Sequence, residues 1–279
     1  MIDMRYHAIS LVAVFVALAI GMLIGTSLVE RGLIVEQKAQ IKSLRRTFDE
    51  IKAKNASLHD ELTAHLRFGD EARPYLVTNM LAGRSFALIT GENFDENAVK
   101  KILEGVGAAG GAIPITINIS DSKAFSDQTV ASKLEALFQA PAGAQDLKER
   151  VFTEIVNQLQ TAANTAILST LEQLGVIHVI GVLAAPVSGA VLLGPVESQS
   201  LDKTDTPLVK TFTSRVFPLV AVVGSDTEQS VVTVYKKNGV STVDHVDTVP
   251  GEVALDMALA GKPGNFGSGG AASRMLPAP

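Results

Sequence analysis

Ala8 to Leu28 (AISLVAVFVALAIGMLIGTSL) runs for 21 residues without a charged side chain. No other feature restricts the fold as much. A helix rises about 1.5 Å per residue, so one of this length reaches the ~30 Å hydrocarbon core of a bilayer. Eleven of these residues are Leu, Ile, Val or Phe, and the most polar are Ser10, Thr26 and Ser27. Arg5 supplies the positive flank of a cleavable signal peptide, but the apolar run exceeds the usual ~7–15 residues and lacks an A-x-A site. The reading is an uncleaved transmembrane anchor over residues 1–29. Within it Ala13, Ala17, Gly21 and Gly25 recur every fourth position. Small residues so spaced let two helix backbones approach closely in lipid, where packing drives association. Gly21 and Gly25 are therefore candidate dimer contacts.

A second periodicity follows over residues 30–68. With Ile41 as position a of a heptad, the a positions are Ile41, Phe48, Asn55 and Leu62, and the d positions include Leu44, Ile51 and Leu58. All six large apolar side chains between Glu36 and His65 fall on this seam. Two apolar residues in seven make a stripe suited to an equivalent helix in a left-handed coiled coil. Asn55 at an a position costs stability but finds an Asn partner in a parallel dimer, which fixes register. The alternative is one amphipathic helix packed on its own globular domain. A helix from Glu30 to Leu66 would extend about 55 Å, with Gly32 as a pivot near its base and Gly69 and Pro74 as its end.

From residue 69 to 260 short apolar runs alternate with helical stretches. Ser85–Thr90 and Ala112–Ile119 read as strands around a helix near Asp95–Glu104. Ser126–Gln139 and Leu147–Leu174 read as helical, and Val176–Leu183, Ala190–Leu193 and Leu219–Gly224 as strands. Helices are also expected over Thr206–Arg215 and Glu252–Leu259. Such alternation predicts an α/β class, a Rossmann-like three-layer domain with a parallel sheet. Residues 261–279, rich in Gly, Ser and Pro, read as a flexible tail.

Chemistry is harder to find. With no Cys there is neither a disulfide framework nor a thiolate metal site, and a net charge of -5 argues against nucleic acid as a partner. Hydrophobic residues make up 47% against 19% charged, which excludes disorder. Gly105-Val106-Gly107-Ala108-Ala109-Gly110 matches G-x-G-x-x-G, but a helix precedes it and a strand follows, the reverse of the dinucleotide motif. It reads as a helix stop and turn. The five His residues are scattered outside any catalytic motif. Met1, Met4 and His7 form the one cluster of soft ligands for copper, at i, i+3, i+6 spacing. No enzyme signature survives, and no cofactor or metal site is assigned.

The opening Met1-Ile2-Asp3-Met4-Arg5-Tyr6-His7, the span ending Ala19-Ile20-Gly21-Met22-Leu23-Ile24-Gly25, Pro74-Tyr75-Leu76, Leu81-Ala82-Gly83-Arg84, Ser241–Thr248 (STVDHVDT) and Gly251–Leu259 resemble the actinobacterial copper-transport protein B (MctB) family, which includes SteB-like cell-separation proteins. The family often has Phe where this chain has Met4. The resemblance implies a single-pass cell-envelope protein with an extracytoplasmic α/β domain. It also implies one of two roles: copper export as a pore-like protein, or regulation of peptidoglycan hydrolases beside a SteA-like membrane partner. The basic residues after the span, Arg31, Lys38, Lys42, Arg45 and Arg46, favour the opposite, cytoplasmic placement of the C-terminus. A pore needs several polar-lined helices or a closed barrel. The expectation is a non-enzymatic homodimeric scaffold in the membrane, with copper handling as the alternative.

Overall fold

The computed structural model describes residues 4–120, 125, 127–144, 146–198, 201 and 205–278, with side chains at 6–25 and from 37 onward. Residues 1–65 and 66–279 form two separate compact units.

Helix α1 spans Met4–Val77. In the first unit its side chains from Tyr6 to Gly25 and from Gln37 to His65 are exposed. The Gly32 pivot falls where no side chains are described. Gly69 and Pro74, read from sequence as the end of the stalk, instead lie inside α1. Packing in the second unit explains why. A Cβ built on Gly69 would lie 3.4 Å from Val249, and Val77 is fully buried. Pro74 removes one backbone donor, and its carbonyl still accepts from Thr78 N at 3.1 Å.

The second unit is built on a seven-stranded sheet. The strands are β1 (Ser85–Thr90), β2 (Ala112–Ile119), β3 (Ile177–Gly181), β4 (Gly189–Leu193), β5 (Leu219–Val222), β6 (Ser241–Val243) and β7 (Asn265–Phe266). Their order is β3-β2-β1-β4-β5-β6-β7. The helices are α2 (Glu96–Ala108), α3 (Gln128–Phe138), α4 (Leu147–Thr161), α5 (Ala166–Gln173), α6 (Thr206–Ser214), α7 (Gln229–Lys237) and α8 (Val249–Leu259). Side chains alternate across each strand, so β1 sends Ala87 and Ile89 to one face and Phe86 and Leu88 to the other. The first face packs on α4, α6 and α7 through residues such as Phe152, Phe212 and Tyr235. The second packs on α2, α8 and the last turn of α1 through Ile102, Val253 and Val77. Three layers result, as expected.

The sheet is parallel except at one edge, where β3 pairs antiparallel with β2, Ile119 opposite Ile177. Just after α5, Val176 O accepts from Ser120 N at 3.0 Å at the carboxyl end of β2, and β3 starts there and runs back along β2. Within the expected flexible tail, Asn265–Phe266 pair in parallel with β6 as β7, and Phe266 is buried. Helix α7 and strand β6 have no counterpart in the sequence reading. The start of the expected helix at Ser126 lies outside the described residues.

Candidate functional site

The sheet order reverses between β1 and β4, where doubly wound folds place a ligand at the carboxyl ends of the strands. Here the crevice is closed from within. Val196 N donates to Asn93 O at 3.0 Å, and Glu228 N to Val196 O at 3.2 Å. Behind them Tyr235 donates its hydroxyl to Asp205 Oδ2 at 2.7 Å, both groups being buried. Gly194 makes room for the Tyr235 ring, since a Cβ there would sit 2.8 Å from its hydroxyl. Burial pushes the Asp205 carboxyl up to about 6, against the Tyr235 hydrogen bond, which lowers it. Asp205 also stands just past the carboxyl end of β1, where a Cβ on Gly91 would lie 3.6 Å from its Oδ1. The glycines of the G-x-G-x-x-G match do not serve that crevice: Gly105 and Gly107 lie in α2, and Gly110 takes φ +82° in the turn after it.

The predicted contacts of the first unit all lie on α1. Ile41, Leu44, Phe48, Ile51, Leu58 and Leu62 are each 52–71% exposed. Asn55 is exposed with them, and Gly21 and Gly25 have open space where a side chain would be. Tyr6–Gly25 is long and apolar enough to cross a membrane, with a mean hydropathy of 2.7. In the Met1, Met4 and His7 cluster, Met1 and the Met4 side chain lie outside the described residues. Among the described residues no three His, Asp or Glu side chains group as metal ligands.

Sequence reasoning missed a buried charge cluster on the second face of the sheet. Arg73 of α1 forms an ion pair with Glu252 of α8, which is 2% exposed, and Lys101 of α2 stands 3.6 Å from the other Glu252 oxygen. Asp256, one turn further along α8, is fully buried, and neither of its oxygens has a hydrogen-bond partner among the described residues. Gly105 opens space for Arg73, whose Nη2 would be 3.2 Å from a Cβ there. Burial raises both carboxyls, Asp256 to about 7, while Arg73 pulls both down. The available signal was two acidic residues at i, i+4 in the otherwise apolar GEVALDMAL, since buried carboxylates require a cation nearby.

The Ser241–Thr248 signature acquires a structural role. Asp244 accepts from Gly269 N at 3.0 Å, and Gly267 packs so close to its carboxylate that no side chain fits. His245 adopts φ +51° and lies 3.1 Å from Asp244 through Nδ1. Asp247 accepts from Ser225 N at 2.8 Å and also from its hydroxyl. Thr248 caps α8, and Gly251 sits against the His245 carbonyl with no room for a Cβ. The segment thus ties the ends of β5 and β6, the start of α8 and the β7 tail together.

A family model described as "Copper transport outer membrane protein, MctB" matches residues 1–277. The Copper transporter MctB of Mycobacterium tuberculosis (strain ATCC 25618 / H37Rv) is 24% identical over 317 residues, covering 96% of this chain and 97% of that protein. The Copper transporter MctB of Mycobacterium leprae (strain TN) is also 24% identical, over 323 residues, covering 99% and 100%. With a match that runs almost from end to end, the chain belongs to the MctB family.

Proposed function

We propose that this protein is a non-enzymatic, single-pass scaffold of the cell membrane, paired with a second copy through α1 and carrying its α/β domain on the extracytoplasmic side. In this reading it regulates envelope processes such as cell separation, beside a SteA-like membrane partner and peptidoglycan hydrolases. One observation carries it. Six large apolar side chains, from Ile41 to Leu62, lie at 3-4 spacing on one helix, each more than half exposed. A helix with such a stripe gains roughly 1.5–3 kcal/mol for each side chain of that size buried against a partner.

The chain has no cysteine, so Asn55→Cys introduces a single reporter. Full-length protein in lipid nanodiscs is expected to form a disulfide-linked dimer on mild oxidation. Leu44→Asp with Ile51→Asp should abolish that product and weaken self-association at least about 100-fold, given the burial lost. An unmodified chain that sediments as a monomer would refute the pairing.

A second reading, copper export or homeostasis, is favoured by the family's description as a copper transport protein. It predicts stoichiometric Cu(I) uptake by the purified protein and loss of copper tolerance on deletion. Titration calorimetry without a binding isotherm would leave this reading without a ligand.

A further inference from the structure

Beneath the amino ends of β1, β4, β5 and β6, beside the last turn of α8, lies a cavity of about 310 Å³. Its walls are mostly apolar, including Phe86, Pro218, Val220, Leu259 and Pro263, with Ser241 the one hydroxyl. Among the described residues Arg84 is the one charged side chain of the wall. The guanidinium lies 5.3 Å from the centre of the Phe86 ring and is half-buried. Attraction to a ring face offers the cation no acceptor oxygen, so its N–H donors are not spent there. Among the described residues no carboxylate pairs with it, whereas Arg73, the other half-buried arginine of this face, has Glu252. Ser241 Oγ accepts from Gly264 N at 3.2 Å, so among the described residues its own proton is the one other side-chain donor in the wall.

Gly189, Ala258 and Gly261 are the small residues of the wall. Gly189 is tight enough that a Cβ would sit 3.0 Å from the Pro218 carbonyl and 3.6 Å from Phe86. Arg84 itself closes the Leu81-Ala82-Gly83-Arg84 signature, which neither the anchor nor the seam explains. The volume falls at the small end of the ~300–1,000 Å³ range of ligand pockets, which pair apolar walls with a few placed polar groups.

We infer that this cavity binds a medium-chain acyl carboxylate, its head group paired with Arg84 and its tail against the apolar wall. One cation matches one carboxylate, in the forked geometry a guanidinium favours. The scarcity of further donors selects a tail without polar atoms.

The test uses the full chain in lipid nanodiscs, labelled with a diazirine analogue of decanoate and mapped by mass spectrometry. Labelling is expected on residues 218–220 and 258–263, competed by decanoate and at least tenfold less well by decanol. Arg84→Gln should cut labelling of these segments at least fivefold while that of the α1 anchor stays unchanged, and Arg84→Lys should recover part of it. Ala258→Phe, which fills the cavity and leaves the cation in place, should also abolish it. The inference falls if these segments are unlabelled in the unmodified protein, if either Arg84→Gln or Ala258→Phe labels normally, or if decanol competes equally. Displacement by a peptide ending in a leucine carboxylate more strongly than by decanoate would overturn the assigned ligand class.

Discussion

At the scale of single residues, Asp256 carries the clearest consequence. A carboxyl at about 7 in the folded chain and 3.8 when unfolded holds an extra proton in the folded state between those values. Its contribution to stability is therefore complete below about pH 4, declines as pH rises, and is lost above about pH 7. At ~1.4 kcal/mol per unit, the effect is bounded at about 4 kcal/mol. Asp256→Asn keeps the shape and removes the charge. It should raise the melting temperature at pH 8 and leave it little changed at pH 4. Thermal unfolding across that range checks both ends. What remains in the variant should taper near pH 6, where Asp205, raised in the same direction, completes its own loss. An Asn variant that melts lower than the parent at pH 8 would mean that the Asp256 charge is needed by Arg73.

At the scale of elements, the exposed edge of the sheet shows how unwanted pairing is avoided. Strand β3 leaves its outer backbone groups open, and Ile180 and Val182 stand 61% and 73% exposed beside them. Glu172 of α5 reaches over to accept from Val179 N at 3.0 Å and pairs with His178 at the same distance. A side chain that spends an edge donor and brings a charge to it blocks the approach of another strand. Glu172→Ala should leave the unfolding free energy within about 1 kcal/mol of the parent, as surface changes do, yet increase concentration-dependent aggregation. Light scattering at matched stability separates the two effects.

The same scale shows what sequence pattern reveals. Ser85–Thr90 and Ala112–Ile119 are legible to the residue because both are apolar runs with β-branched content, bounded by turns. The six large apolar side chains read as heptad positions stand exposed on one helix, which neither confirms nor removes the seam. Other features stay hidden. Strand β6 has three residues, too few for a period, and β7 has two inside a glycine-rich stretch. Pro74 signals a helix end by local rules, while the burial of Val77 and the Arg73–Glu252 pair come from distant chain. The cluster around Asp256 was half legible: Glu252 and Asp256 in an apolar helix hint at it, but Arg73, 183 positions before Asp256, leaves no local pattern.

For the whole molecule, the match over residues 1–277 covers the long apolar helix as well as the α/β domain. The completeness of that domain can be tested. Ending the chain after Ala260 removes β7 and the glycines that hold Asp244, exposing the β6 edge and the seat of Phe266. Such a truncation is expected to lose cooperative unfolding, measurable by circular dichroism, whereas removal of residues 277–279 should be silent. Because Phe266 closes the layer formed by α2 and α8, the layer is finished only by a residue synthesised long after the first strand. While the ribosome is still making the middle of the chain, the domain has no finished form to lock into. On the extracytoplasmic placement proposed above, an export channel that accepts only unstructured polypeptide would therefore meet it in a threadable state.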